Sequence, residues 1–274
     1  MKRIGLFCLL LLLASLRQID AVELPENAKD FHIFLLVGQS NMAGRGQVAT
    51  EDEQPDPQVL MLTKERSWQP AVDPLHFDKP KIVGVGPGRS FGIAYAEANP
   101  GVTVGLVPCA VGGSAITSWV PGGFHEQTKS HPWDDMLPRA RSALKSGRLK
   151  AILWHQGEAD CSSAASKRYA ERLRQLVARF REAFDAPEVP FLVGQLGRFP
   201  GRPWTEGTRL VDEAHRKLPE QLPAVGFASA EGLTDKGDAV HFDAASARTL
   251  GRRYAVAYQQ LRAATANSGD AATN

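Results

Sequence analysis

Four short stretches of the chain hold residue types that together could carry out acyl transfer. Gly38-Gln39-Ser40-Asn41-Met42 places a serine two residues behind a glycine. A serine hydroxyl is a weak nucleophile until a neighbouring base takes its proton. Near the other end, Asp238-Ala239-Val240-His241 offers an imidazole and a carboxylate three residues apart. At that spacing one turn can bring the carboxylate to one ring nitrogen and leave the other for Ser40. His241 would then act as general base and acid, and Asp238 would hold its tautomer. Each residue also has a plainer reading: Ser40 as a helix or turn cap, Asp238 as the organiser of a loop. Asp235 and Asp243 are the competing carboxylates.

The third stretch is Trp154-His155-Gln156-Gly157-Glu158 and the fourth is Val111-Gly112-Gly113-Ser114. A carboxamide such as Gln156 can donate to a developing oxyanion, and glycines let backbone amides approach a substrate closely. Gly113 is the preferred amide donor and Gly112 the competing assignment, although a double glycine often marks only a turn. His155 falls on the opposite face from Gln156 if its strand alternates, which makes it a core histidine. His125 and His131 share a long loop with Trp119 and Trp133, where they line a sugar site or cover the core. No His, Asp and Glu spacing suggests a zinc site. Gly84-Val85-Gly86-Pro87-Gly88 lacks the lysine of a phosphate loop and reads as the shaped start of a helix. Neither a metal nor another cofactor is expected.

Chemistry of this kind needs a frame that brings distant stretches together. Apolar, β-branched runs alternate with helical patterns, the signature of βαβ units around a parallel sheet. Strands are predicted over 31–38, 58–63, 102–108, 149–155, 190–196 and 224–229, and helices over 89–98, 133–146, 163–184, 205–217 and 244–264. The clearest helix is 163–184, where Tyr169, Leu173, Leu176, Val177, Phe180 and Phe184 recur at helical spacing. Two long loops, 45–58 and 112–132, interrupt the alternation. In open α/β sheets ligands bind beyond the carboxyl ends of strands, which is where Ser40, Gly113 and Gln156 fall.

Residues 1–21 read as a secretory signal peptide: a basic start at Lys2 and Arg3, an apolar run from Ile4 to Leu16, then small residues up to Ala21. The run is short for a transmembrane helix; an uncleaved anchor is the competing reading. Export to a secreted or periplasmic location is expected, with no stable membrane insertion after cleavage. Removing this segment takes away Lys2, Arg3, Arg17 and Asp20 and leaves equal numbers of basic and acidic residues. That balance gives no electrostatic reason to expect a nucleic-acid partner. The domain is placed at 22–264, followed by a disordered polar tail over 265–274. Cys109 and Cys161 are too few for a disulfide scaffold and read either as one pair or as two buried thiols.

In their order and spacing, the four stretches resemble the sialate O-acetylesterase-like family, which includes carbohydrate esterase family 6 and its acetylxylan esterases, within the SGNH hydrolases. The resemblance runs from Phe31 to about Leu261. It implies a three-layer α/β/α, flavodoxin-like fold with a central parallel sheet, and hydrolysis of acetyl esters on carbohydrate. It also implies Ser40 as nucleophile, His241 as base, Asp238 as its partner, and an oxyanion hole of the Ser40 amide, the Gly113 amide and the Gln156 side chain. Gln39, Asn41, Gly112 and Glu158 would support the site. The wider superfamily more often has Gly-Asp-Ser and an Asn in the third stretch; Gln39 and Gln156 follow the acetylesterase branch. The expected substrate is an acetylated polysaccharide of the acetylxylan type. O-acetyl sialic acid is the alternative, as is a non-catalytic carbohydrate-binding protein on the same scaffold.

Overall fold

A strand buried on both faces is apolar along nearly its whole length, and Phe31–Gly38 (β1) is such a strand, with only the half-buried His32 polar. Phe31, Ile33, Leu35 and Val37 enter one core while Phe34 and Leu36 enter another. The computed structural model describes residues 22–271, so the predicted signal segment lies outside the described residues. After β1 come Ser40–Ala43 (α1), Val59–Leu62 (β2), Trp68–Pro70 (β3) and Pro87–Ala98 (α2). Thr103–Pro108 (β4), Pro132–Ala143 (α3), Arg148–His155 (β5), Ser163–Ser166 (α4) and Tyr169–Ala183 (α5) follow. The chain then forms Phe191–Gly194 (β6), Glu206–Gln221 (α6), Val225–Ala228 (β7) and Ala244–Ala271 (α7).

The sheet runs β3-β2-β4-β1-β5-β6-β7, parallel throughout except for β3, which pairs antiparallel with β2. One face is covered by α3, α5 and α6, through Trp133, Leu173, Phe180, Val211 and Leu218. The other is covered by α2 and α7, through Phe91, Tyr95, Leu250 and Tyr254. The result is a three-layer α/β/α sandwich with a mostly parallel centre. Among the described residues no helix is long and apolar enough to cross a membrane.

The structure departs from the sequence reading most in three places. The helix predicted over 163–184 is two helices, because no apolar stripe holds the chain to the core before Tyr169. β3 is too short to show a period and was not anticipated. The polar tail predicted from residue 265 is instead a continuation of α7 to Ala271. Ala263, Ala264 and Ala266 favour continued helix there despite the surrounding polar residues.

Candidate active site

β1 sits at the switch point of the sheet: from it the chain moves to β2 on one side, and from β4 it crosses to β5 on the other. The carboxyl ends of β4, β1 and β5 are therefore neighbours, and they carry Gly112-Gly113, Ser40 and Gln156 respectively. The serine turn depends on Gly38, whose φ is 129° and where a Cβ would stand 2.1 Å from the His155 carbonyl oxygen. Only glycine lets β1 pass that close to β5 in this conformation. The Gln39 amide then donates to the same carbonyl at 2.9 Å, and Ser40 opens α1.

His241 reaches Ser40 from the loop before α7, with Nε2 at 3.0 Å from Oγ. Its Nδ1 lies 2.8 Å from Asp238 Oδ2. Asp238 Oδ1 accepts the backbone amides of Val240 at 3.0 Å and His241 at 2.8 Å. Lys236 Nζ approaches Oδ2 to 3.1 Å. Burial pushes the Asp238 carboxyl up, but bonds from the His241 ring, the two amides and Lys236 outweigh it and hold the group well below the usual carboxylate range. The competing carboxylates are used elsewhere: Asp235 accepts the Gly237 and Ala239 amides within the loop, and Asp243 accepts the Ser246 amide at the start of α7.

Asn41 ties this loop to the serine. Its Nδ2 donates to the Val240 carbonyl at 3.0 Å and its Oδ1 accepts the Phe242 amide at 3.1 Å, so it grips the backbone on both sides of His241. The same Nδ2 donates to Glu158 Oε1 at 2.6 Å, which gives Glu158 a supporting place beneath the turn. His155 is fully buried, with Nδ1 3.3 Å from the Tyr254 hydroxyl, and burial lowers its pKa. It faces the core rather than Ser40.

Gln156 departs from the expectation that its carboxamide faces a substrate. The side chain is fully buried, and Nε2 meets Asp160 Oδ2 at 2.6 Å, the Ser114 carbonyl at 3.0 Å and Gln39 Oε1 at 3.2 Å. Its Oε1 accepts from the Tyr169 hydroxyl at 2.9 Å. Two amide protons already face three acceptors, so in this structure Gln156 offers no free donor. Gln39 belongs to the same buried network. Asp160, overlooked in the sequence, anchors it by also accepting the Ile116 amide at 2.8 Å.

Backbone amides remain as donors. The Gly112 amide is engaged by Asp78 Oδ2 at 2.7 Å. Neither the Ser40 nor the Gly113 amide has an acceptor among the described residues, and Gly113 is exposed with φ 84°. His125 stands beside this turn, with Nε2 3.2 Å from the Gly112 carbonyl. Trp119 and Trp133 are buried in the core, so these two do not line the site, and His131 stands just before α3 with Nδ1 3.0 Å from the Gly123 carbonyl. Cys109 and Cys161 are both free thiols, each pushed up to about 11 chiefly by burial.

Residues 30–260 match the family of carbohydrate esterases described as sialic acid-specific acetylesterases. The chain belongs to that family. A probable carbohydrate esterase of Arabidopsis thaliana is 32% identical over 87% of this chain and 94% of its own length. Its solved structure superposes with a TM-score of 0.73 at 31% identity, covering 84% of this chain and 98% of that one. A probable 9-O-acetyl-N-acetylneuraminic acid deacetylase of Escherichia coli K12 is 22% identical over 64% of this chain and 65% of its own. A putative GDSL-like lipase of Parabacteroides merdae shares the fold, with a TM-score of 0.55 at 14% identity over 87% of this chain and 99% of that one. The fold is thus that of the SGNH-like hydrolases, and the chain is an esterase of the carbohydrate acetylesterase type.

Proposed function

We propose that this esterase is a serine hydrolase that removes acetyl groups from carbohydrate through an acetyl-enzyme on Ser40. The observation that carries the reading is the unbroken relay from Ser40 Oγ through His241 to Asp238, at 3.0 and 2.8 Å. In the first half-reaction His241 Nε2 takes the hydroxyl proton as Oγ attacks the acetyl carbonyl, then returns it to the departing sugar oxygen. In the second, His241 takes a proton from water, the water oxygen attacks the acyl carbon, and acetate leaves as Ser40 recovers its proton. Asp238 accepts a hydrogen bond from Nδ1–H throughout without taking the proton, which holds the ring in the tautomer that leaves Nε2 free to accept. The Ser40 and Gly113 amides are the donors assigned to the tetrahedral oxyanion.

An acetylated polysaccharide of the acetylxylan type is the first substrate choice, following the resemblance of the four sequence stretches to carbohydrate esterase family 6. O-acetyl sialic acid is the second, favoured by the family's own description. Export by the segment 1–21 would bring the enzyme to either substrate outside the cytoplasm. The intact relay argues against a solely carbohydrate-binding role. Acetate release from acetylated xylan, 9-O-acetyl sialic acid and p-nitrophenyl acetate tests these readings together. Ser40→Ala is expected to lower turnover about a thousandfold or more while leaving the fold intact. Near wild-type turnover by a folded Ser40→Ala protein would remove the serine mechanism.

A further inference from the structure

Arg45 and Asp78 form an ion pair, Nη2 to Oδ2 at 3.0 Å, in which each side chain is only 3% exposed. A pair buried this deeply loses hydration on both sides and is often no more stabilising than well-packed apolar residues would be. Its location is therefore the informative feature. The same Oδ2 accepts the Gly112 amide at 2.7 Å, one residue before the exposed Gly113 amide. The other guanidinium nitrogen, Nη1, donates to the Gly44 carbonyl at 2.6 Å. Gly44 in turn donates its amide to the Ser40 carbonyl at 2.9 Å, closing α1. A continuous polar path thus runs from the serine's own helix, through Arg45 and Asp78, to the glycine turn after β4.

The fit along this path is close. A Cβ on Gly112 would lie 2.3 Å from Arg45 Nη2 and 2.8 Å from Asp78 Oδ2, so a glycine is what allows the pair to reach the backbone. Asp78 Oδ1 is buried with no hydrogen-bond partner among the described residues. The carboxylate is committed to Arg45 and Gly112 through a single oxygen. In a tight turn successive amides point in different directions, and capturing one orients the next. With the Gly112 N–H held by Asp78, the next amide, that of the exposed Gly113 at φ 84°, has no acceptor among the described residues.

We propose that Asp78, held in place by Arg45, is a positioning residue for the oxyanion hole, orienting the Gly113 amide toward the acyl carbonyl of a substrate on Ser40. The inference rests on the reading of Ser40 as nucleophile and Gly113 as donor. One preorganised oxyanion donor contributes about 10²–10³-fold to kcat. Its contribution is felt mainly in the transition state, because that is where the charge develops. Loosening the peptide that carries it should therefore lower kcat and leave KM nearly unchanged.

The test compares wild type, Ser40→Ala, Asp78→Ala and Asp78→Asn on p-nitrophenyl acetate across pH, with affinity for methylboronic acid as a tetrahedral analogue. Asp78→Ala is expected to lower kcat by about 30-fold or more with KM within about threefold. Boronic acid affinity should fall alongside kcat. The midpoint of the acid limb should stay where it is in wild type, because His241 and Asp238 are untouched. Asp78→Asn keeps an oxygen for the Gly112 amide but loses the charge facing Arg45, and an intermediate loss of about tenfold is expected. If Asp78→Ala does not fold, Asp78→Asn decides alone by the same readouts. A kcat within about threefold of wild type per folded molecule, a loss carried by KM, or a shifted acid limb would overturn the proposal. Turnover retained by Ser40→Ala would instead overturn the underlying mechanism, whereas an inactive Ser40→Ala beside a normal Asp78→Ala would remove only the positioning role.

Discussion

A glutamine at a strand end can serve a substrate or a core, and for Gln156 the count of hydrogen bonds favours the core. Removing its carboxamide takes a buried donor from Asp160, which keeps the Ile116 amide, and from the Ser114 carbonyl, at a cost of about 1–3 kcal/mol for a buried acceptor left unmet, while the Tyr169 hydroxyl keeps the Gln156 carbonyl and His215. Gln156→Ala is expected to melt at a clearly lower temperature, with a rate per folded molecule within about tenfold of wild type. A loss of a hundredfold or more at unchanged stability would return Gln156 to the oxyanion hole. At this scale the sequence was most legible where partners are local. Asp238 and His241 lie three residues apart, and one loop joins them. Asp78 was invisible because it stands 34 residues from Gly112 and 33 from Arg45, and only loop closure brings the three together. Asp160 lay within sight of Gln156, yet nothing in its residue type separates a buried acceptor from a solvated acid.

Among the elements, the loop that leads from β3 to α2 holds a second buried carboxylate. Burial, reinforced by the nearby Asp52 charge, pushes Asp73 up to about 7, against the lowering effects of Arg89, the Gly86 amide and Arg248. Arg248 of α7 grips Asp52 through Nε at 2.9 Å and Nη2 at 2.7 Å, and the Asp52 carbonyl accepts the Asp73 amide at 3.0 Å, so this cluster joins the loop to the last helix. An acid whose pKa is raised by folding binds more protons in the folded state, so its contribution to stability is lost as pH rises. The loss should run from the unfolded value near 4 to the folded value of about 7, and level off above that. Asp73→Asn is expected to melt higher than wild type at pH 8, with the gap closing toward pH 4. A gap that is constant or widens toward acid would show that the charge at Asp73 is not what limits stability. The parallel strands were readable because their central runs are apolar on both faces. The break between α4 and α5 was not, since the Tyr169-to-Phe184 stripe is helical whether or not a turn precedes it, and only packing shows where the core begins.

Across the whole molecule, two cores on opposite faces of one sheet hold the carboxyl ends of β4, β1 and β5 in register, and the loop before the last helix closes the site by delivering His241 from more than 200 residues away in sequence. The parallel class and the position of the site at strand ends followed from the alternation of apolar runs with helical patterns. The strand order that makes those three ends neighbours did not, because crossover connections leave no local mark. The central claim is that acetyl passes through Ser40, and trapping the intermediate tests it directly. The enzyme would be mixed with p-nitrophenyl acetate, quenched in acid within the first turnovers, digested and examined by mass spectrometry. The account predicts the mass of one acetyl group on the peptide containing Ser40, localised to that hydroxyl and absent from Ser40→Ala. Acetate release by an enzyme whose Ser40 is never acetylated, together with turnover by Ser40→Ala, would contradict it.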